Sequence, residues 1–311
     1  MDAGAGGGWA NRTRKPIDAA FAFSKSIHIS CLAQWLLCWH LRCGSSTYMN
    51  EQEKQLKVAL VTGGGEGIGR ATCLRLYEEG YAVAVLGRTA ENIERVAAKI
   101  REGGGDAIAI QADIASDADL CRAYNRIESH WGRLDVLFAH AGINGVWAPL
   151  RELKPEEWEK TIRINLTGTF FTVRRALPLL ERQGGSIIIT ASVNGTRMFS
   201  NTGASAYATS KAGIVGFMKM ISLELAKHRI RVNCVSPGAI DTNISENTTQ
   251  RNLSREQEPV KYPDGRIPLT RGKPGKPEQV ADLVAFLASD HASHITGTNI
   301  FIDGAQSLLM G

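Results

Sequence analysis

A tyrosine and a lysine four positions apart, Tyr207 and Lys211, form the pair in this chain that is suited to proton transfer. On a helix this spacing places both side chains on one face. Free tyrosine has a pKa near 10 and is a poor base at neutral pH, but a fixed ammonium group one turn away favours the phenolate. Lowering the pKa by about three units takes roughly 4 kcal/mol. Because this spacing is frequent by chance, a surface helix is the alternative interpretation.

Two further polar residues stand in apolar surroundings. Ser192 follows the apolar run of residues 186–190, at the carboxyl end of a predicted strand. Parallel sheets place their ligand crevice at this end. Asn165 lies inside a long predicted helix that precedes the strand. Polar side chains in such surroundings need a reason, and both are candidate site residues.

A glycine-rich loop, TGGGEGIG at residues 62–69, follows the first predicted strand and opens the first predicted helix. Glycines allow a tight turn and let backbone N–H groups approach a pyrophosphate, which rests on the positive end of the following helix. A flexible turn is the alternative. The strand before and the helix after favour a dinucleotide site, with Gly63, Gly67 and Gly69 giving its spacing.

The end of the second predicted strand indicates which dinucleotide binds. An acidic residue about 20 positions after the loop would hold the free ribose 2′-hydroxyl of NAD. The sequence here is Leu86-Gly87-Arg88-Thr89, without an acid. Gly87 leaves room for a 2′-phosphate and Arg88 offers it a forked pair of donors, which predicts NADP. Glu66 on the glycine loop would repel that phosphate, so NAD stays open, and a solvated residue at a helix start is the alternative for Arg88.

The elements that position these residues alternate from residue 56 onward. Short, mostly apolar runs predict strands at residues 57–62, 81–87, 107–111, 134–139, 186–190, 231–235 and 299–302. Helices are predicted at residues 68–80, 90–101, 155–180, 205–228 and 277–289, and a capping box at residues 116–119 opens one more. Strands that are apolar on both faces and alternate with helices predict an α/β fold, a single doubly wound Rossmann-type domain with a seven-stranded parallel sheet.

Composition argues against several other classes of protein. The 311 residues are 43% hydrophobic and 22% charged, which is typical of a soluble globular protein. The net charge of +5 is mild and the basic residues are scattered, which argues against nucleic-acid binding. The six cysteines show no metal or disulfide spacing, so we expect no metal site and a reducing, cytoplasmic setting.

Over residues 57–304 the sequence resembles the compact branch of the short-chain dehydrogenase/reductase family. The features that carry this resemblance are the TGxxxGxG loop, Asn165, Ser192, the Tyr207–Lys211 pair and the proline–glycine turn after the sixth strand. The resemblance implies an NAD(P)-dependent oxidoreductase that interconverts a secondary alcohol and a ketone by hydride transfer. It implies Tyr207 as general acid/base and Ser192 as hydroxyl donor to the substrate oxygen. Lys211 would contact the nicotinamide ribose, and Asn165 would hold a water in a proton relay.

The same resemblance implies a set of cofactor contacts. Asp113 would contact the adenine, and the turn at Pro237 and Gly238 would contact the nicotinamide carboxamide together with Thr242. The cofactor-binding residues expected in full are Gly63, Gly65, Glu66, Gly67, Ile68, Arg88, Asp113, Ile114, Ala141, Gly142, Tyr207, Lys211, Pro237, Gly238, Ile240 and Thr242. The expected partner is a small-molecule carbonyl or alcohol substrate. The resemblance also implies a homotetramer, and the apolar residues in the helices predicted at 155–180 and 205–228 and in the tail at 307–310 agree with it.

Two departures from the family pattern bear on the site. The usual Asn-Asn-Ala-Gly after the fourth strand reads AHAG at residues 139–142. Ala139 removes a side chain that normally braces the sheet core, and His140 would lie over the adenosine half, with a role as catalytic base as the alternative. Ser192 and Tyr207 are 15 positions apart, slightly more than is usual, and the extra length is assigned to a loop at residues 195–205 beside the substrate.

The sequence does not specify the substrate. Between Thr242 and Pro277 lie 34 residues rich in polar types, which predict a lid over the site. The pocket is expected to be lined from the other side by Asn194, Arg197, Met198 and Phe199. Acyl thioesters, polyols and xenobiotic ketones all stay open. So do two other functions, an epimerase or dehydratase that uses a bound nicotinamide internally, and a non-catalytic dinucleotide-binding regulator.

Residues 1–55 differ in character from the rest. They are rich in glycine at the start, poor in acids, and carry an apolar stretch at 27–41 that is too short for a membrane span, so we expect no membrane partner. We interpret them as a disordered leader or the product of a wrong start, with an organelle transit peptide in residues 1–48 as the alternative. The domain would comprise residues 56–311, and a chain that begins at Met49 is expected to fold and work like the full one.

Overall fold

The computed structural model describes residues 56–198, 202–242, 248–256 and 267–309. The interpretation of the leader, the start at Met49 and the pocket residue Phe199 lie outside the described residues. All the described residues belong to one compact unit, which begins at Gln55. None of the helices in these ranges is long and apolar enough to cross a membrane.

The apolar runs form strands at the predicted places. The strands are β1 (Val58–Thr62), β2 (Ala82–Gly87), β3 (Ala107–Gln111), β4 (Val136–Ala139), β5 (Val146–Trp147), β6 (Gly185–Thr190), β7 (Ile230–Pro237), β8 (Thr249–Gln250) and β9 (Asn299–Ile302). Seven of them form one sheet in the order β3-β2-β1-β4-β6-β7-β9, and β5 pairs with β8 separately. Every neighbouring pair in the large sheet is parallel. The predicted fold class is confirmed.

The sheet order places a crevice beside β1. The chain builds outward from β1 to β3 and then returns to β4 on the other side, and ligands bind at such a switch point at the carboxyl ends of the strands. Thr62, the last residue of β1, is paired with Leu86 on one side and Ala139 on the other. The loops after β1, β2 and β4 therefore start at one level.

Helices cover both faces of the sheet. They are α1 (Gly67–Glu78), α2 (Ala90–Glu102), α3 (Asp117–Trp131), α4 (Pro155–Ile162), α5 (Gly168–Leu180), α6 (Ser205–Ala226) and α7 (Pro277–Ala288). Along β1 the side chains alternate between two hydrophobic clusters, with Val58 and Leu60 in one and Ala59 and Val61 in the other. Helices α3, α5 and α6 complete the first cluster, and α1, α2 and α7 complete the second. A strand buried on both faces is apolar along most of its length, and here only the last residue, Thr62, is polar.

Two local features differ from the prediction. The long helix predicted at 155–180 is interrupted, because a π-helix at Arg163–Thr167 separates α4 from α5. Of the two reciprocal hydrogen bonds of the capping box at the start of α3, only one forms. Ser116 Oγ accepts the N–H of Asp119 at 3.2 Å, but the carboxylate of Asp119 accepts the N–H of Asp113 at 3.1 Å rather than that of Ser116.

Candidate active site

The glycine loop between β1 and α1 adopts backbone conformations that side chains would disturb. Gly63 and Gly67 have φ values of +72° and +49°, in the left-handed region that favours glycine. A Cβ on Gly69 would lie 2.0 Å from the carbonyl oxygen of Gly63, so the loop packs directly on the first turn of α1. Gly63 and Gly65 line the cavity beside the helix start. Because a helix N-terminus favours an anion, the residues present fit the pyrophosphate of a dinucleotide.

Threonine hydroxyls brace the strand ends beside this loop. Thr62 Oγ1 accepts hydrogen bonds from the N–H groups of His140 at 3.0 Å and Ala141 at 3.2 Å. His140 Nδ1 lies 3.0 Å from Thr190 Oγ1 at the end of β6. These contacts connect β1, β4 and β6 where Ala139 has no polar side chain to do so.

His140 is held in its neutral form. Its ring stacks on that of Phe138, with centroids 5.2 Å apart. Burial and, to a lesser degree, the ammonium group of Lys211 lower the pKa of His140 from 6.5 to about 3. A histidine with so low a pKa is a weak base at neutral pH, which argues against the alternative role of His140 as catalytic base.

Arg88 and Glu66 both line the cavity, Arg88 directly after β2 and Glu66 at the start of α1. The Arg88 side chain is exposed, and its carbonyl oxygen accepts a 3.0 Å hydrogen bond from the amide of Gln111, which fixes the backbone there. The carboxylate of Glu66 accepts a hydrogen bond from the side-chain amide of Asn92. A partner on α2 thus restrains the one acid that opposed a phosphate in the sequence.

Asp113 lines the cavity at the carboxyl end of β3, next to Ile114. Its N–H donates to Asp119 at 3.1 Å, and its Oδ1 accepts the N–H of Ala115 at 2.9 Å. The hydrogen bond from Asp113 is the first cause that lowers the pKa of Asp119, so Asp119 stays charged. Asp119 thereby fixes the backbone of the predicted adenine contact.

Asn165 is fully buried in the π-helix. Its Oδ1 accepts the N–H of Ile143 at 2.8 Å, and its Nδ2 donates to the carbonyl oxygen of Ile143 at 2.8 Å. Nδ2 also donates to Ser210 Oγ at 3.1 Å, and Ser210 is the neighbour of Lys211 on α6. π-Helical turns occur frequently at functional sites. Here the turn brings Asn165 to both the cavity wall and the helix that carries Tyr207.

Ser192 and Tyr207 share a side-chain hydrogen bond. Ser192 follows β6 and is buried, and Tyr207 lies in the first turn of α6. Burial raises the pKa of Tyr207 above its ordinary value, and the hydrogen bond with Ser192 partly opposes this. The lowering of the pKa expected from the neighbouring lysine is not seen in the chain alone.

Lys211 completes the cluster from one turn further along α6. Its Nζ donates to the carbonyl oxygen of Thr190 at 2.8 Å and lies 5.7 Å from the centroid of the Tyr207 ring. Burial lowers the pKa of Lys211 from 10.5 to about 8. A Cβ on Gly142 would lie 3.1 Å from Asn165 Oδ1 and 3.8 Å from Lys211 Nζ. Gly142 therefore separates the cavity from the cluster.

The segment after β7 runs from the sheet to the glycine loop. Pro237 still pairs with Ile302 of β9, and Ile240 forms a parallel bridge with Gly275. A Cβ on Gly67 would lie 3.2 Å from Thr242 Cγ2. The fold thus brings the predicted carboxamide contacts against the start of α1.

A cavity of about 900 Å³ gathers half of the predicted cofactor residues. Those that line it are Gly63, Gly65, Glu66, Arg88, Asp113, Ile114, Ala141 and Gly142. Those that do not are Gly67, Ile68, Tyr207, Lys211, Pro237, Gly238, Ile240 and Thr242, and the catalytic candidates Asn165 and Ser192 lie outside it as well. Most of the residues expected for the adenosine and pyrophosphate half line the cavity, with Gly67 and Ile68 as exceptions, whereas those for the nicotinamide half lie outside it.

Several lining residues carry no sequence motif. They are Asn92 of α2, Asn144, Gly145 and Val146 after β4, and Lys160, Thr161 and Ile164 on α4 and the π-helix. Ile164 precedes Asn165 directly, and this adjacency is a signal that could have identified it. The others come together through tertiary packing, which no spacing along the chain records.

Part of the predicted lid is described, and one of its residues lines the cavity. β8 pairs with β5, with Thr249 beside Val146 and Gln250 beside Trp147. Thr249 lines the cavity. The amide of Asn144 donates to Thr248 Oγ1 at 2.7 Å and adds a side-chain contact to this pairing. Residues 243–247 and 257–266 of the predicted lid lie outside the described part.

The loop after Ser192 does not line this cavity. The guanidinium of Arg197 lies 3.8 Å over the centroid of the Phe301 ring, and Met198 is buried. Asn194 is half-buried beside Ser192 and donates its N–H to Ser192 Oγ at 3.2 Å.

Within the described ranges no group of three or more His, Cys, Asp or Glu side chains is arranged to hold a metal ion.

Comparison with known proteins identifies relatives of this arrangement. The family model described as short chain dehydrogenase matches residues 57–253. Levodione reductase of Leifsonia aquatica is 36% identical over 81% of this chain and 94% of its own length. The crystal structure of a 3-ketoacyl-ACP reductase from Sinorhizobium meliloti 1021 is 49% identical, with a TM-score of 0.79 over 81% of this chain and 99% of that one. A 3-ketoacyl-(acyl-carrier-protein) reductase from Brucella melitensis, complexed with NADH, is 31% identical, with a TM-score of 0.71 over 81% of this chain and 98% of that one.

These relatives are named reductases, which does not favour the epimerase, dehydratase or regulator alternatives. The predicted reaction class is confirmed: the protein is an oxidoreductase that interconverts a secondary alcohol and a ketone on a small-molecule substrate. Its cofactor is a nicotinamide dinucleotide. The chain belongs to the short-chain dehydrogenase family.

Proposed function

We propose that Tyr207 is the general acid/base of this oxidoreductase, with Ser192, Lys211 and Asn165 as its supporting residues. The hydrogen bond between the Ser192 and Tyr207 side chains, beside a buried lysine one helical turn away, is the observation that carries the proposal. Tyr207 is protonated at neutral pH because burial raises its pKa. Its hydroxyl is therefore ready to give a proton in the direction of ketone reduction.

The reduction needs one hydride and one proton, and the bound nicotinamide supplies the hydride. Tyr207 Oη donates its proton to the carbonyl oxygen as negative charge develops there. Ser192 Oγ donates a hydrogen bond to the same oxygen and stabilises that charge. The ammonium group of Lys211 then favours the phenolate that remains on Tyr207. Asn165 holds the water through which the proton is restored, and the same groups act in reverse for alcohol oxidation.

The cofactor we propose is NADP. Gly87 provides no acid for a ribose 2′-hydroxyl, and Arg88 is exposed on the cavity wall where a 2′-phosphate would need a cation. The hydrogen bond between Glu66 and Asn92 gives that carboxylate a partner and weakens the case against a phosphate. Asp113 and Ile114 are proposed to contact the adenosine, and Pro237, Gly238, Ile240 and Thr242 the nicotinamide.

The substrate we propose to test first is a 3-oxoacyl thioester. Its support is the 49% identity with a 3-ketoacyl-ACP reductase over nearly the whole of that protein. Levodione is the second substrate to test, because levodione reductase is 36% identical over a similar length.

We also propose a homotetramer in the cytoplasm. Met220 and Leu223 of α6 are 75% and 83% exposed, and Phe170 of α5 is 42% exposed. An apolar surface of this kind indicates a contact with other copies of the chain. Sedimentation that gives only monomer at micromolar concentration would contradict the tetramer.

The proposed reaction is tested with the purified full-length protein. NADPH and NADH are each mixed with a 3-oxoacyl thioester, levodione and a sugar ketone, and the loss of reduced cofactor is followed by absorbance. We expect turnover with at least one ketone and faster turnover with NADPH. Binding of the dinucleotide without turnover of any ketone would instead indicate a non-catalytic regulator.

A further inference from the structure

The turn that follows β9 is held in an unusual conformation. Ala305 has a φ of +69°, which is uncommon for a residue other than glycine. The carboxylate of Asp303 stabilises it, since Oδ1 accepts the N–H of Ala305 at 3.1 Å and Oδ2 accepts the N–H of Ser307 at 2.8 Å. The side chain between these two anchored residues, Gln306, is only 7% exposed and points into the protein. A strained turn with a buried polar side chain calls for an explanation beyond chain termination.

Gln306 contacts the segment that follows β7. Its Oε1 accepts the N–H of Ala239 at 2.8 Å. The N–H of Gly238 donates to the carbonyl oxygen of Ile302 at 3.1 Å, so the end of β9 holds the preceding residue. A Cβ on Gly238 would lie 2.6 Å from Gln306 Oε1, which means that the turn is pressed against this amide. The position of Gly238 and Ala239 therefore depends on the residue at 306.

The same segment also forms backbone hydrogen bonds with Gly275. Gly275 donates its N–H to the carbonyl oxygen of Ala239 at 3.0 Å and accepts the N–H of Asp241 at 2.8 Å. The segment then continues to Thr242, next to Gly67 at the start of α1. The segment is thus held by backbone hydrogen bonds of Gly275 and by the side chain of Gln306. Only the second contact can be removed by a substitution.

We propose that Gln306 is a positioning residue, whose amide oxygen fixes the Gly238–Ala239 turn for the nicotinamide half of the cofactor. The inference rests on the proposed function, in which this turn contacts the carboxamide. Reacting groups must be held close to their productive geometry, and a displacement of about 1 Å can cost about a hundredfold in rate. Loss of the hydrogen bond would let the turn move without altering the adenosine half of the site.

The test compares three variants of the full-length protein. Gln306→Met has a similar volume and no strong acceptor, so it removes the bond. Gln306→Glu retains an oxygen that accepts the N–H of Ala239 and serves as the conservative rescue. Ser307→Ala is the matched control, because Ser307 Oγ is buried without a hydrogen-bond partner and lies in the same turn.

Each variant is measured in three ways. The first is kcat and KM for ketone reduction. The second is the emission of bound NADPH, which reports on the surroundings of the nicotinamide ring. The third is the Kd of a cofactor fragment that lacks the nicotinamide ring. The fragment is 2′,5′-ADP, or ADP-ribose if the enzyme uses NADH. For Gln306→Met we expect at least a tenfold fall in kcat and altered emission, with an unchanged Kd for the fragment. Gln306→Glu and Ser307→Ala should stay near wild type in all three.

Two outcomes overturn the proposal. Wild-type kcat and emission in Gln306→Met would show that the turn does not need the amide. An equal weakening of the fragment and of NADPH, with a lower Tm, would show a structural role instead. Both leave the proposed function standing if wild type reduces a ketone. Failure of the wild-type protein to bind either reduced cofactor would overturn the proposed function, and this inference with it.

Discussion

Arg251, next to β8 in the predicted lid, donates two hydrogen bonds to the carboxylate of Glu157 on α4, at 3.0 Å to Oε1 and 2.9 Å to Oε2. The same guanidinium also donates to the carbonyl oxygen of Glu152. Hydrogen bonds from Arg251 are the first cause that lowers the pKa of Glu157 to about 2, so this contact stays ionised across the usual pH range. Glu157 lines the cavity, and so does Thr249, the first residue of β8. The ion pair thus fastens the described part of the lid to the wall of the site.

We expect Arg251→Met and Glu157→Gln each to raise the KM for the ketone a few-fold with a smaller effect on kcat. The reason is that the bidentate contact orders the lid before the substrate binds. Without the contact, the entropic cost of ordering the lid reduces the free energy of substrate binding. The double variant should be no worse than either single one. Arg151→Met is the control, because its pair with Glu256 is 3.7 Å long and largely exposed. Additive effects of the two substitutions in steady-state kinetics would contradict a direct coupling.

The second prediction concerns Asn165. Replacing it by alanine leaves the N–H and carbonyl groups of Ile143 without their partner, and Ser210 Oγ keeps only its hydrogen bond to the carbonyl oxygen of Tyr207. Each buried polar group left unsatisfied costs about 1–3 kcal/mol, so we expect the free energy of unfolding to fall by roughly 2–4 kcal/mol and activity to be lost. Urea unfolding measures the first effect. Asn125→Ala, at an exposed position on α3, is the control. A loss at position 165 no larger than at 125 would contradict this account.

The sequence predicts the sheet well because burial on both faces leaves a direct trace in composition. Every residue of β1 is buried and all but the last are apolar, so the strand can be identified without any tertiary information. Asn165 shows the limit. Its residue type and surroundings identify it as a candidate, but no residue type in the segment RINLT marks the π-turn that brings it to Ile143. The partners of Asn165 lie 22 and 45 positions away, and no periodicity records such contacts.

Gln306 shows a second limit of the same kind. Nothing in a short segment near the chain end distinguishes a buried glutamine from an exposed one, and its partner is 67 positions away. From the sequence we expect the apolar tail to contact other copies of the chain, whereas in the structure Ser307 is buried within the chain itself and Leu308 is 68% exposed. Spacing identifies residues that act within one element. Packing between elements decides which distant residues support them.

The third prediction is that Tyr207→Phe reduces kcat by about 10²–10⁴-fold, the usual contribution of a general acid or base. Only the hydroxyl is removed, and the cavity residues that would hold the adenosine half are untouched. The Kd for the reduced cofactor should therefore stay near that of wild type in a fluorescence titration. Tyr77→Phe is the control, since its hydroxyl bonds the carbonyl of Gly103 far from Ser192. More than a small fraction of wild-type turnover in Tyr207→Phe would rule out the assigned role.

The fourth prediction is a pH dependence with opposite signs for activity and stability. Burial lowers the pKa of Lys211 to about 8, so the ammonium group is lost as pH rises through that value. We expect kcat/KM for reduction to fall there, because the charge that favours the Tyr207 phenolate disappears. His140 should add no limb near pH 6.5, because its pKa lies near 3.

Stability should move the other way over the same range. Between about pH 8 and 10.5 the unfolded chain keeps a proton on Lys211 that the folded chain has lost, so the contribution of this group to the free energy of unfolding rises with pH. His140 acts below its unfolded pKa of 6.5, where the unfolded chain binds a proton that the folded chain excludes, so stability is lost as pH falls toward 3. Parallel rate and urea-unfolding profiles check both signs. Lys219→Met, at an exposed site on α6, should leave the activity limb in place. A fall in rate that tracks a fall in stability would mean simple unfolding.

The last prediction is a preference for NADPH over NADH of one to two orders of magnitude in kcat/KM. A charge-assisted contact between Arg88 and a 2′-phosphate contributes ~1.5–3 kcal/mol, and ~1.4 kcal/mol corresponds to a factor of ten. Arg88→Ala should raise the KM for NADPH and hardly change that for NADH. Glu66→Gln should strengthen the preference if the restrained carboxylate still repels the phosphate.

Gly87→Asp should shift the enzyme toward NADH, but a Cβ at this position would lie 2.8 Å from Ile93 Cγ2. Gly87→Ala carries the same steric strain without the charge and is therefore the matched control. If wild type already prefers NADH, or if Arg88→Ala weakens both cofactors equally, Arg88 is only a solvated residue before α2 and the assignment of NADP is wrong.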